Sequence, residues 1–525
     1  MVRGGLGGGP VSEAVSRAKS QALWLAAGQI STRAVQFVAT IALARLLLPE
    51  HFGKVAIASV VWEVVALFAN TGVAATLVQR RERIEELSQA AFWLNATVSA
   101  SIAALSLAVA AVAARFYGEP AILPIIGLYA ASFVISSAGT VHAVLLTREL
   151  AFGRITVVET AAATTSAAVS VALAFAGFGY WSLVLHAPAM ALLRVVLLWR
   201  LHPWRPRLSP MVALWGGIFE YGRWLLGADL VSYVNLNGDY MITGKVLGQH
   251  ALGIYSMAYR VANWPVEAGV WLVARVAFPT LSGLQADPKR LADVFTKMLR
   301  AVALLAFPAV AVLLATAPDL IGALYGAERW GRAAPLVRIL LLYVVFRVIG
   351  SPASQVLLAT GRARMSFLFA GSVTPVLLGA VLYGTGFGMK GVAWATSLVL
   401  GAAAVGLTWL SCRVAGVGLR SLLAALAPGC AAGLGTLLGA WILPRALAAM
   451  SLLTGPSASG EGAAVRLLVA LAAGGAAACL VVAAAFPADR RMLLSLIGEE
   501  SPLERIRGLY RGVFSALVAR PKRPI

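Results

Sequence analysis

The sequence predicts an all-α integral membrane protein of about 14 transmembrane helices: two six-helix bundles followed by two additional C-terminal helices. Three observations carry that prediction. Hydrophobic residues make up 60% of the 525 and charged residues only 12%, more apolar surface than a soluble interior can hide. Apolar runs of about 20 residues recur along the whole chain, separated by short charged or Gly/Pro-bearing loops. A short echo, "ARLLLPEHFGKVAIA" from Ala44 and "GKVLGQHALGIYSMA" from Gly244, repeats at an offset of 200, joining the first span of each six-helix set to the second.

In chain order, spans are expected near 22–44, 54–78, 88–114, 121–146, 155–176 and 179–199, then near 223–245, 251–281, 297–317, 335–359, 364–384 and 391–411. Two more follow near 421–443 and 464–486. Helices are required because hydrocarbon cannot satisfy a free backbone group, and the alternation of an outer-membrane barrel is absent. The domain reading is a cytoplasmic segment 1–20, bundles 21–208 and 209–415, additional helices 416–487, and a basic tail 488–525. "MVRGGLGGGP" reads as a flexible start rather than a cleavable signal, because the first apolar stretch is long enough to span.

Lysine and arginine orient the chain. With a cytoplasmic N-terminus, Arg80, Arg81, Arg83, Arg205, Arg207, Lys289, Arg290, Arg362, Arg364 and the tail all fall inside, an excess of about threefold over the opposite loops. Both termini are therefore expected in the cytoplasm, and most of the +21 net charge is a topology signal rather than a nucleic-acid footprint. The tail segment "SPLERIRGLYRGVFSALVAR" combines a cap at Ser501 with an apolar face and outlying arginines, which reads as a helix lying on the anionic inner leaflet. "SPMVALWGGIFEYGR", from Ser209, reads as a second such helix.

Charges inside the expected spans are the candidate functional groups, since each costs at least ~2.5–3.5 kcal/mol at the bilayer centre. Arg33, Arg260, Arg275 and Arg347 lie well within spans, whereas Arg194 and Arg223 can snorkel. Arg260, Trp264, Glu267, Trp271 and Arg275 step by four, three, four and four, one stripe on a single helix. Guanidinium forks bind anions and indole faces stack on sugars. Pro265 inside that stripe predicts a kink. Asn235 and Asp239 share one face of the seventh span, and Asp229, Tyr233, Asn237 and Tyr240 another. The competing reading is structural: Arg260 pairs with Glu63 or Glu267 as an inter-helix fastener, and the tryptophans anchor span ends. The three cysteines and five histidines show neither disulfide nor metal spacing, and no Walker loop or nucleophile elbow occurs, so neither catalysis nor a metal is expected.

"LLLPEHFGKVAIASVV", "NTGVAATLVQRRE", "NLNGDYMITGKVLGQHALGIYSMAYRVANWPV", "FPTLSGLQADPKRL" and "LATGRARMSF" together resemble the polysaccharide transporter (Wzx-type oligosaccharide flippase) family of the multidrug/oligosaccharidyl-lipid/polysaccharide exporter superfamily. Asn237, Asp239, Gly244, Gly253, Tyr255, Tyr259 and Arg260 fall on that family's recurring pattern. The resemblance implies a bacterial inner-membrane flippase that moves a polyprenyl-pyrophosphate-linked oligosaccharide by alternating access, for lipopolysaccharide, capsule or exopolysaccharide. Arg33, Arg260, Arg275 and Arg347 are then expected to attract the pyrophosphate, with Trp264, Trp271 and Asn237 completing the substrate contacts. Proton or sodium coupling is expected at Asp239, Glu63 or Glu267. Membrane lipids, a polysaccharide polymerase and chain-length machinery are the expected partners. The alternatives are an organic-cation efflux transporter and a lipid II flippase.

Overall fold

The computed structural model describes residues 28–29, 31–68, 77, 83–212, 215, 225–266, 280–285, 287–449 and 460–485. No strand occurs among them. The helices are α1 (31–46), α2 (Pro49–Leu67), α3 (Ile84–Tyr117), α4 (Ile122–Arg148), α5 (Phe152–Phe175), α6 (Trp181–Leu201), α7 (Leu225–Val246) and α8 (Gly248–Ala262). They continue with α9 (Pro288–Tyr325), α10 (Ala333–Ala359), α11 (Ala363–Thr385), α12 (Gly388–Ala415), α13 (Leu419–Ala449) and α14 (Gly460–Ala485). Among the described residues, nine helices are long and apolar enough to cross a membrane: α3 to α6 and α9 to α13. The protein is thus an all-α, multi-pass membrane protein. α7 falls outside that set because it carries Asn235, Asn237, Asp239 and Lys245, and α8 because it ends early.

Helix ends follow local chemistry. Asp287 caps α9 by accepting from the Arg290 N–H at 3.1 Å, with Pro288 in the first turn. Gly118 closes α3 at φ 69°, and its N–H bonds to the Ala114 carbonyl, a conformation that suits glycine. α8 loses regular geometry at Asn263, because Pro265 brings no N–H; the turn is held instead by Val266 N–H to the Asn263 carbonyl at 3.0 Å. Of the expected stripe, Arg260 and Trp264 lie on either side of the turn at Asn263, and Glu267, Trp271 and Arg275 lie outside the described residues.

The chain divides into two compact units, Met1–Tyr233 with Gly248–Gly253, and Val234–Leu247 with Ile254–Ile525. In the first, α4 packs against α3 and α6, and α6 against α5. The Pro-bearing segment after α6 cannot be helical, so its polar backbone groups are taken up by side chains. Gln89 donates to the Arg205 carbonyl at 3.3 Å and accepts from the Arg207 N–H at 2.8 Å. Trp93 donates to the Arg207 carbonyl at 2.7 Å, and the His142 ring sits 3.1 Å from the Trp204 carbonyl. The surface helices expected from Ser209 and from Ser501 fall mostly and wholly outside the described residues.

The two echoed segments also meet within the first unit. A Cβ added at Gly53 would overlap the Gln249 carbonyl, and one added at Gly253 would overlap the Pro49 carbonyl. Each contact is the other displaced by 200 residues, and the Glu50–His250 pair, 3.5 Å apart, lies between two more equivalent positions. Reciprocity of this kind is the signature of a local two-fold relation. Only glycine permits such close approach of two backbones.

In the second unit α13 packs against both α9 and α14. Gly429 and Gly433 sit on Ala303 and Phe307 of α9, while Gly435 and Gly439 sit on Ala477 and Ala473 of α14. Two four-residue glycine spacings on one helix therefore serve two neighbours, as expected where lipid supplies no hydrophobic drive between helices.

Candidate functional site

The polar residues of α7 and α8 converge on one corner of the second unit. Asp239 is 2% exposed, too buried to stay charged without partners. Its Oδ2 accepts from the Tyr255 hydroxyl at 2.6 Å, and its Oδ1 accepts from the Tyr240 N–H at 2.9 Å. The Tyr255 hydroxyl also lies 3.3 Å from Thr396 Oγ1 of α12. Tyr240 stands edge-on to Tyr255 and to Tyr259, with ring centroids 5.7 and 5.6 Å apart, a favoured aromatic geometry. Tyr255, Tyr259 and Asn263 step by four, so α8 presents one polar-aromatic face.

Asn263 fixes the next link. Its Nδ2 donates to the Tyr259 carbonyl at 2.8 Å, which turns Oδ1 outward to accept from Arg347 Nη1 at 2.6 Å. The Arg347 guanidinium lies 5.7 Å from the Tyr343 ring centroid, one turn back on α10. The Tyr259 hydroxyl is buried near Tyr343 and Arg347 and makes no hydrogen bond of ordinary geometry among the described residues. A buried carboxylate, four tyrosines, an amide and a guanidinium thus form one continuous cluster. Such a cluster can hold a proton or small cation at its acidic end and attract an anion at its basic end.

The expected residues are distributed unevenly around it. Asp239 and Arg347 are members. Asn237 is half-buried and, two residues from Asp239, projects from the other side of α7. Asn235 faces α11, donating to the Ala370 carbonyl at 3.0 Å beside the Thr374 hydroxyl, also at 3.0 Å. Arg260 is exposed in the last turn of α8, beside Tyr325, and Trp264 is half-buried past the break. Arg33, exposed on α1, and Glu63, exposed on α2 beside Tyr233, belong to the first unit. The Tyr233 hydroxyl itself donates to the Val60 carbonyl at 3.0 Å.

Three further arginines have structural work. Arg194 pairs with Glu159 at 2.7 Å rather than snorkelling alone. Arg466 pairs with Asp319 at 3.1 Å, tying α14 to α9. Arg338 donates to the Leu314 carbonyl at 3.1 Å, the carbonyl that Pro318 leaves without its helical partner. The residues that sequence reasoning missed as site members are Tyr240, Tyr343, Asn263 and Thr396, with Tyr255 and Tyr259 named only through the family pattern. The four-residue spacing of Tyr255, Tyr259 and Asn263, and of Tyr343 and Arg347, was the available signal.

Comparison with known proteins adds sequence and fold relatives. A family model described as "Polysaccharide biosynthesis protein" matches residues 42–335. The chain is 24% identical to the lipopolysaccharide biosynthesis protein WzxC of Escherichia coli K12, over 70% of this chain and 74% of that one. It is 26% identical to the succinoglycan biosynthesis transport protein ExoT of Rhizobium meliloti, over 74% and 79%. Teichuronic acid biosynthesis protein TuaB of Bacillus subtilis is 27% identical over 63% and 69%. A solved lipid II flippase MurJ, in an inward closed conformation, shares the fold at TM-score 0.67 and 12% identity, covering 88% of this chain and 99% of that one. An inward-facing multidrug MATE transporter shares it at 0.60 and 14%, covering 74% and 98%.

Proposed function

The chain belongs to the polysaccharide biosynthesis protein family, and from that premise we propose that it flips a polyprenyl-pyrophosphate-linked oligosaccharide from the cytoplasmic to the outer leaflet of a bacterial inner membrane. The observation that carries the reading is the family match over residues 42–335, which takes in α7, α8 and the Asp239–Tyr255–Asn263 corner. Every substrate of this class carries two phosphates whatever its sugars, so a guanidinium is the group suited to the constant part and aromatic faces to the variable part. Arg347 is the first candidate for the pyrophosphate, Arg33, Arg260 and Arg275 are further candidates for it, and Trp264, Trp271 and Asn237 are candidates for the sugars. Asp239 is the favoured proton or sodium site; Glu63 and Glu267 are secondary candidates. The cycle is alternating access, with both termini cytoplasmic and no catalytic step. A polysaccharide polymerase and chain-length machinery consume the flipped product.

Deleting the gene is expected to abolish the corresponding surface polysaccharide, by at least tenfold on quantitative immunoblot, while its lipid-linked precursor accumulates on the cytoplasmic side. Normal surface glycan with heightened sensitivity to cationic dyes would instead assign the chain to efflux.

A further inference from the structure

The ends of α11, α12 and α13 gather four arginines that the proposed flipping cycle does not use. A Cβ added at Gly406 of α12 would lie 3.2 Å from the Phe369 ring of α11, which fixes how the two helices run past each other as a hairpin. Arg362 stands seven residues before Phe369 and Arg413 seven after Gly406, so they are level at one end. Arg364 follows on α11, and Arg420 lies in the first turn of α13, after the turn at Gly416 with φ 71°. All four side chains are exposed, and none joins an ion pair among the described residues. α9 starts at the same end, since it runs parallel to α13 with Ala303 under Gly429 and Phe307 under Gly433. Its first acids are engaged: Asp287 caps the helix, and Asp293 holds Lys297 at 2.8 Å. Arg347 is about 20 Å away along α10, thirteen residues before Thr360, so the patch is separate from the Asp239 cluster.

The helices beneath the arginines are shaped for a lipid. α12 packs on α10 and α11, whereas α13 packs on α9 and α14, so these consecutive helices diverge from their shared turn. Val405, Trp409 and Arg413 step by four on α12, and Leu419 and Leu423 step by four on α13. The apolar members are all exposed, Trp409 by 54% and Leu419 by 70%. The Arg413 guanidinium lies 4.1 Å from the Trp409 ring centroid, which holds the cation directly above an apolar face. Cations over exposed apolar side chains match a molecule with an anionic head and hydrocarbon chains. We propose that this corner binds an anionic phospholipid of the surrounding bilayer, its phosphodiester held by Arg413 and Arg420 with Arg362 and Arg364 in support. A topology signal needs positive charge anywhere in these loops; a lipid site needs it at this corner.

The test titrates the purified full chain in detergent with dioleoylphosphatidylglycerol, and with dioleoylphosphatidylcholine as the zwitterionic control, reading bound lipid by native mass spectrometry. Wild type is expected to bind the anionic lipid about tenfold more tightly than the control. Arg413→Gln with Arg420→Gln is expected to lose that preference, since each charge-assisted contact to phosphate removed costs about a further tenfold at most. Lys289→Gln with Arg290→Gln, which removes the same charge from the start of α9, is expected to keep it. If the first pair does not fold, Arg420→Gln alone decides, with an expected loss of about threefold. Wild-type binding by Arg413→Gln with Arg420→Gln, or by Arg420→Gln in that event, overturns the proposal. So does an equal loss in Lys289→Gln with Arg290→Gln, or equal binding of the two lipids by wild type. Displacement of the anionic lipid by equimolar farnesyl pyrophosphate would give the corner to the substrate and likewise overturn it. Each of these outcomes leaves the flippase reading in place.

Discussion

Gly53→Leu is expected to abolish polysaccharide export and to lower the yield of folded protein severalfold. The Cβ at this position would overlap a main-chain carbonyl, that of Gln249, and a backbone atom cannot swing aside as a side chain can. Overpacking that neighbours can absorb costs about 1–3 kcal/mol, and here absorbing it means separating the start of α2 from the start of α8. Gly253→Leu should behave alike, since its overlap is with the Pro49 carbonyl. Gly53→Ala should show the same sign with a smaller loss. Monodispersity in detergent and surface polysaccharide, measured on the same strains, check the expectation. A leucine variant that folds and exports normally would mean that the two helix starts are not held together in the working protein.

Asp239→Asn is expected to leave the fold intact and to reduce export at least tenfold. Asparagine keeps one acceptor for the Tyr255 hydroxyl, which now bonds to Oδ2 at 2.6 Å, and replaces the charge and the second acceptor, which faces the Tyr240 N–H at 2.9 Å, with an amide NH2. Asp239→Leu should also destabilise the protein by about 1–3 kcal/mol, because the buried Tyr255 hydroxyl would retain Thr396 alone of these two partners. The difference between the two variants separates a coupling carboxylate from a structural one. Full export by Asp239→Asn at wild-type expression would remove the carboxylate from the mechanism and leave its hydrogen bonds as its whole role.

The fold was legible because the bilayer imposes a rule on composition: a span must be long, apolar and helical, and the runs at 88–114, 121–146 and 335–359 obey it to within a few residues of α3, α4 and α10. Pro265 marked the neighbourhood in which α8 ends, and the turn itself falls two residues earlier, at Asn263; most of the stripe drawn from there lies outside the described residues. Side-chain partners were harder to read. Nothing local in the sequence says that Arg194 meets Glu159, 35 residues away, or that Arg338 serves the carbonyl released by Pro318. Those arginines look alike in one dimension, and tertiary structure sorts them. Tyrosine escaped attention for a related reason. Its ring passes for core and its hydroxyl for surface, so Tyr255 looked ordinary until its hydroxyl was found against Asp239.

The central claim is that a guanidinium inside the second unit receives the phosphate-bearing head of a lipid during its passage across the membrane. Its most direct test is transfer of the purified lipid-linked oligosaccharide across the bilayer of proteoliposomes containing the full chain, followed by accessibility of the glycan to an external glycosidase. The account predicts protein-dependent transfer that falls at least tenfold in Arg347→Gln reconstituted at equal density. Transfer by Arg347→Gln at the wild-type rate would contradict it.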